Sequence, residues 1–189
     1  MFNVTRRIHY KQIDNVDNNE IVNSIMARRG GKLLNLDLAL LNSPAFARGW
    51  NALLHEVRNE LGISPKLREL AICTVAVVNN AEYEWQQHAP EFLKAGGTQS
   101  QLDALKLIRH AVNNNNLFDE YERSVIQLSI EITKHITVST TTFATIKSLF
   151  PSDKQIIELV GIIATYNMVS RFLIALGIEL EKSTVESNG

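Results

Sequence analysis

Cysteine is almost absent from this chain. Cys73 is the only one in 189 residues, so no internal disulfide can staple the fold and no pair of thiols can exchange electrons. Proline and glycine are also sparse, four and nine respectively, which excludes fibrous and loop-dominated chains and leaves long stretches free to form regular structure. Neither sign of charge prevails: 19 Lys and Arg against 20 Asp and Glu give a net charge of −1. A chain so balanced carries no electrostatic footprint for nucleic acid. The small basic pairs Arg6–Arg7 and Arg28–Arg29 lack interleaved aromatics and read as solvated or oligomer-contact residues. The opening MFNVTRRIHYKQIDNV holds no apolar core of signal-peptide length, and the expectation is a cytoplasmic protein. His9, His55, His110 and His135 show no ligand spacing along one helix face, so no metal is expected.

What the chain does have is apolar mass at helical spacing. With 45% hydrophobic residues it can bury a sizeable core, and a single domain spanning 1–189 is the simplest count. Periodicity predicts helices near 20–29, 36–42, 45–60, 64–80, 81–97, 99–111, 119–135, 140–149 and 153–176. Thr98-x-x-Gln101, Asp119-x-x-Glu122 and Ser152-x-x-Gln155 have the form of capping boxes at helix starts. No alternating strand pattern appears, and the fold class is all-α. The stretch 156–178 approaches the length of a membrane span, but Glu158, Asn167 and Arg171 interrupt it, and it reads as a buried helix.

Two of these helices carry charge where apolar residues belong. Ser64 suits the N-cap and Pro65 the first turn of a helix that is apolar nearly all round from 70 to 78, with Glu69 inside it. In the next helix, closed by Gly96 and Gly97, the residues Ala81, Glu84, Trp85, His88, Phe92 and Ala95 fall on one stripe. With Asn79 and Asn80 as the turn of an antiparallel pair, Glu69 and His88 stand about 15 Å and about 12 Å from it along the two axes, at nearly matched heights. Their side chains are expected within hydrogen-bond reach, with Glu84 one turn before His88. By angle Trp85 walls the same pocket, whereas Tyr83 points away, toward another helix or subunit. Pro90 lies within the second helix and leaves the Gln86 carbonyl without its usual donor.

The runs LRELAI and EYEWQQHAPEFLKAGG are similar to the signature of the carboxymuconolactone decarboxylase family, which shares its fold with the alkylhydroperoxidase D-like (AhpD-like) proteins. The resemblance covers about 44–128, with the helices of 139–178 completing the bundle. In the alkylhydroperoxidase branch the motif is a Glu, a Cys-x-x-Cys and a His. Glu69 and His88 match the outer two, while the thiol positions fall on Ala81 and Glu84. Peroxidase chemistry needs one thiolate to attack and a second thiol to resolve the sulfenic acid, and this chain lacks both. Cys73, one turn beyond Glu69, reads as a small core residue that lies beside the site.

The resemblance implies a lyase that removes CO2 from a carboxylated lactone and reprotonates a ring carbon. The lactone carbonyl is the electron sink, so no cofactor is called for. On that reading His88 is the general acid and base, Glu69 orients it, and Glu84 is a second carboxylate. Tyr83, Trp85, Arg68 and Cys73 are candidates for the substrate pocket, and Arg48, Arg68 and Arg171 for a carboxylate anchor. The expected partners are a small-molecule substrate and further copies of the chain, as a dimer, trimer or hexamer, with no nucleic acid and no membrane. Two other readings stay open: peroxidase-like activity by similarity, which the missing thiols disfavour, and a non-catalytic oligomeric protein that binds a ligand.

Overall fold

Three of the caps that the sequence announces start their helices. In the computed structural model, which describes residues 5–13 and 19–181, Ser64 accepts a hydrogen bond from the Leu67 amide and Pro65 opens the helix that follows. Thr98 with Gln101 and Asp119 with Glu122 form reciprocal capping boxes. Among the described residues there are ten helices and no strand. They are α1 (Glu20–Arg29), α2 (Asn35–Leu40), α3 (Pro44–Asn59), α4 (Pro65–Asn79), α5 (Glu82–Lys94), α6 (Gln99–Leu105), α7 (Ile108–Ala111), α8 (Glu120–His135), α9 (Thr140–Leu149) and α10 (Asp153–Leu176). The all-α reading holds. The stretch read above for a leader lies partly outside the described residues.

The helices fall into two compact units. The first comprises the chain up to Asn59 and from Leu173 onward, the second Glu60–Phe172. In the first, α3 packs on α1 and α2 around Val22, Ile25, Leu40, Ala47 and Trp50. Arg28 and Arg29 are not the solvated or oligomer-contact pair expected from their composition. Both reach the fully buried Asp37: Arg29 Nε lies 2.9 Å from Oδ2 and its Nη2 3.0 Å from Oδ1, and Arg28 Nη2 lies 3.7 Å from Oδ1. The Leu34 amide donates to the same carboxylate, 2.9 Å away. A buried aspartate needs this much compensation, and nothing local in the sequence pairs it with those arginines.

In the second unit α4 is the central helix, packed against α5, α6, α7 and α8. Its residues from Glu69 to Ala76 are all buried, which explains why that stretch is apolar nearly all round. Leu70 and Cys73 share a core cluster with Phe92, Leu102, Leu105, Ala111, Phe118 and Ile126. The predicted helix over 99–111 breaks at Lys106 and Leu107 into α6 and α7. In one straight helix Leu105 and Ala111 would point about 120° apart. The break lets both be fully buried in the same cluster, so packing overrides a continuous helical sequence.

Two glycines end α5, each for its own reason. Gly96 has φ +94°, the left-handed region that side chains resist, and a Cβ on Gly97 would sit 2.2 Å from the Phe92 ring. α10 is long and apolar enough to cross a membrane by length and composition. Its Leu159, Ile162, Ile163 and Tyr166 are nevertheless buried in the second unit, as befits a core helix.

Candidate active site

Asn80 sets the geometry of the site. It adopts the left-handed conformation, φ 53°, after the last turn of α4, and its amide returns to the Ala76 and Val77 carbonyls. Asparagine tolerates this backbone better than other residues with a side chain. The chain then doubles back through Ala81 into α5, and the antiparallel pair brings Glu69 and His88 together as the turn arithmetic requires. Glu69 Oε2 lies 2.7 Å from His88 Nδ1. The other carboxylate oxygen, Oε1, takes Arg68 Nε at 3.2 Å. Glu69 is 2% exposed and His88 6%.

Glu84, one turn before His88 and also 2% exposed, keeps different company. Both of its carboxyl oxygens lie 3.0 Å from Ser170 Oγ on α10. The His88 ring stands edge-on to Tyr166, with centroids 4.9 Å apart and planes at 86°. The pairs Glu84 with Ser170 and His88 with Tyr166 are therefore the i, i+4 positions of two antiparallel helices in register. Burial pushes the Glu84 carboxyl well above the usual range, and the Ser170 hydrogen bond only partly offsets this.

The cysteine beside these carboxylates is a poor nucleophile. Cys73 is fully buried, and its thiol is pushed well above the ordinary value, first by burial and then by its carboxyl neighbours Glu69 and Glu84. Its place in the Leu70 and Phe92 cluster is that of a core side chain.

Tyr83, off the stripe and expected to meet another helix or subunit, is buried at 6% exposure, and Trp85, expected to face inward, is half-buried. Trp85 packs against the core cluster, with Lys106 Nζ 5.7 Å from its ring centroid. The reason is the width of the buried face. From Tyr83 through Glu84, His88 and Phe92 to Trp85 it spans about 200° of the helix, since neighbours cover α5 on more than one side. Pro90 is exposed, and the helix continues past it.

Of the candidate anchors, only Arg68 reaches the site, and it is engaged by Glu69. Arg171 donates to the backbone and side-chain oxygens of Asn167 on its own helix. Arg48 is an exposed residue of the first unit. Among the described residues no group of three or more His, Cys, Asp or Glu side chains is placed to hold a metal ion.

Ser170 and Tyr166 were missed by sequence reasoning, which weighed Glu158, Asn167 and Arg171 in that helix and passed over the hydroxyls. The available signal was the pair Tyr166 and Ser170, spaced i, i+4 on one side of a largely apolar helix. A buried hydroxyl needs a partner, and that of Ser170 is Glu84, 86 residues away in sequence.

Comparison with known proteins bears on the fold. Residues 44–118 match the carboxymuconolactone decarboxylase family. No curated protein sequence matches the chain. Among solved structures, the chain is similar to an uncharacterized peroxidase-related protein with an alkylhydroperoxidase AhpD core from Ralstonia eutropha JMP134. The two are 14% identical, with 94% of this chain and 93% of that one covered and a TM-score of 0.78. A peroxidase-related protein from Silicibacter sp. TM1040 is 15% identical over 94% and 92% of the two chains, TM-score 0.77. A variant of the debrominase Bmp8, in complex with 2,3,4-tribromopyrrole, is 15% identical over 93% and 92%, TM-score 0.75. The fold is therefore AhpD-like, and it is one that enzymes use.

Proposed function

We propose, from the carboxymuconolactone decarboxylase family character of residues 44–118, that this protein is a cofactor-free acid/base enzyme, a carboxy-lyase acting on a small carboxylated or lactone-like molecule. The observation that carries the reading is the buried 2.7 Å contact between His88 Nδ1 and Glu69 Oε2, with a second carboxyl, Glu84, one helical turn away. A carboxylate on Nδ1 fixes that nitrogen as the donor, so Nε2 is the nitrogen that takes up or delivers a proton. Loss of CO2 leaves its electron pair in the enolate of the substrate. One proton, from His88 or Glu84, then forms the new C–H bond, and water restores the donor. Burial makes each of these charge changes sensitive to its neighbours.

The experiment is a screen of carboxylated lactones and related small acids, with a pH–rate profile on any that turn over. We expect an essential acid and base in that profile, and loss of turnover in Glu69→Gln and in His88→Gln while both variants keep cooperative thermal unfolding. Unfolding of both variants would instead favour a structural ion pair. Dithiol-dependent peroxidase turnover is not expected, since Ala81 and Glu84 occupy the thiol positions. A peroxidase activity abolished by Cys73→Ser would overturn that.

The second reading is a non-catalytic oligomeric protein, favoured by the near-complete burial of all three side chains. Turnover by the wild type separates it from the first. Under either reading we propose a cytoplasmic homo-oligomer, a dimer or a trimeric or hexameric ring built on it. Support for assembly comes from α10, where Ile157 is 71% exposed and Ala164 lies open two turns along the same face. A monomer by light scattering at micromolar concentration would refute this.

A further inference from the structure

The hydrogen bonds around Ser170 do not balance if Glu84 is ionised. Ser170 Oγ lies 3.0 Å from each Glu84 carboxyl oxygen and 2.9 Å from the Tyr166 carbonyl oxygen. A carboxylate and a carbonyl only accept, and a serine hydroxyl owns a single proton. One proton would have to serve three acceptors. The other carboxylate of the site has no such shortage: Glu69, equally buried, holds Arg68 on one oxygen and His88 on the other. Among the described residues no cation lies within ion-pair distance of Glu84, and an unpaired buried charge is among the costliest groups a protein can carry.

We propose that Glu84 is a resident neutral acid that donates its proton to Ser170 Oγ, while the Ser170 hydroxyl donates to the Tyr166 carbonyl, making Ser170 the positioning residue for a proton stored beside His88. With Glu84 protonated there are two protons for these contacts instead of one: the carboxyl O–H serves Ser170 Oγ, the Ser170 hydroxyl serves the Tyr166 carbonyl, and only the second carboxyl oxygen is left without one. The titratable groups facing Glu84 fit this assignment. On α4 they are Glu69, engaged by Arg68 and His88, and the buried thiol Cys73, and neither offers Glu84 a compensating positive charge. On α10 there is Tyr166, and on α5 itself His88, whose Nδ1 is committed to Glu69. Arg68 and Arg171 are engaged by Glu69 and Asn167.

The same distances let Ser170 serve the ionised state in passing, at the cost of its hydrogen bond to the Tyr166 carbonyl. When Glu84 gives up its proton, the O–H bond breaks and, on the reading of the site as a decarboxylase, a C–H bond forms on the substrate enolate. The Ser170 hydroxyl then needs only to rotate from the Tyr166 carbonyl to the new carboxylate, with no heavy atom moving. That hydrogen bond stabilises the anion until water returns the proton. Only the catalytic use of the proton rests on the proposed function. The protonation state itself does not.

The test is infrared spectroscopy of protein carrying 13C-labelled glutamate at neutral pH, comparing wild type with Glu84→Gln. One protonated-carboxyl band is expected in the wild type and absent from the variant. In Ser170→Ala the band should persist but shift, because the acid has lost its acceptor, and Ser170→Thr should restore its position. A purely structural Ser170 would not move it. Loss of only a carboxylate band in Glu84→Gln, or no shift in Ser170→Ala, would overturn the proposal. Should Glu84→Gln fail to fold, 13C carboxyl NMR of the wild type answers instead: one glutamate must stay protonated through neutral pH, and full ionisation of all of them overturns the proposal. A protonated Glu84 in a protein that turns over no substrate would sustain this inference and sink the decarboxylase reading. Turnover with an ionised Glu84 would do the reverse.

Discussion

Asp37 and Glu84 are both buried carboxyls, one in each compact unit, and the two units treat them in opposite ways. Asp37 is met by Arg28, Arg29 and a backbone amide, so its charge is kept and paired. Glu84 meets a hydroxyl and no cation, so its charge is the thing the site avoids. Burial alone therefore does not mark a functional carboxyl. A paired charge holds elements together, whereas an unpaired one costs stability, a cost tolerated where the group has chemistry to perform.

The largest test of this contrast is a pair of isosteric changes. Asp37→Asn removes the charge that two largely buried guanidiniums face, and we expect a loss of about 3–5 kcal/mol in chemical denaturation. Glu84→Gln replaces a neutral acid by a neutral amide, and its cost should stay within about 1 kcal/mol. Equal losses would erase the distinction. Next in size is Ser170→Ala, which deprives a buried acid of its hydroxyl partner and should cost about 1–2 kcal/mol.

The pH dependence of stability sharpens the comparison by sign. The Glu84 carboxyl is raised above its unfolded value of about 4.3, so the folded state holds the proton longer than the unfolded one. Its contribution is fully present below the unfolded value and is lost as pH rises through the folded one. Wild type should therefore lose stability relative to Glu84→Gln as pH rises. Glu131 provides the opposite case. Burial works upward on it, but hydrogen bonds from Thr142, Gln127 and Ser139 outweigh that and hold the carboxyl below its ordinary value. Its contribution is present above the unfolded value and lost as pH falls through the folded one, and Thr142→Ala should reduce that acid-side loss. Urea midpoints across pH measure both. The smallest effect belongs to exposed charge: Lys94→Ala breaks a surface pair with Glu91 and should change stability by no more than about 0.5 kcal/mol.

Local rules read much of this molecule correctly, and they fail at identifiable places. Helix ends follow from Ser64, Thr98, Asp119 and Gly96 because caps act within a few residues of themselves. Matched heights of Glu69 and His88 follow from one turn, for the same reason. The degree of burial of Tyr83 and Trp85 does not, because a helix angle says which residues share a face and not how much of the circumference the neighbours cover. The break between α6 and α7 does not either, since no glycine or proline announces it and only the demand to bury Leu105 and Ala111 together explains it.

The sequence by itself determined the helices, the turn at Asn79 and Asn80, the meeting of Glu69 with His88, and the absence of thiols at Ala81 and Glu84. All of these are set by residues close along the chain or by residue identity alone. Only the tertiary structure decided what each buried carboxyl faces: Arg28 and Arg29 at Asp37, Ser170 at Glu84, Tyr166 at His88. The pairs to α10 join side chains far apart in sequence, and the ionisation of a buried group is set by the dielectric and the partners around it, which exist only once the chain has folded.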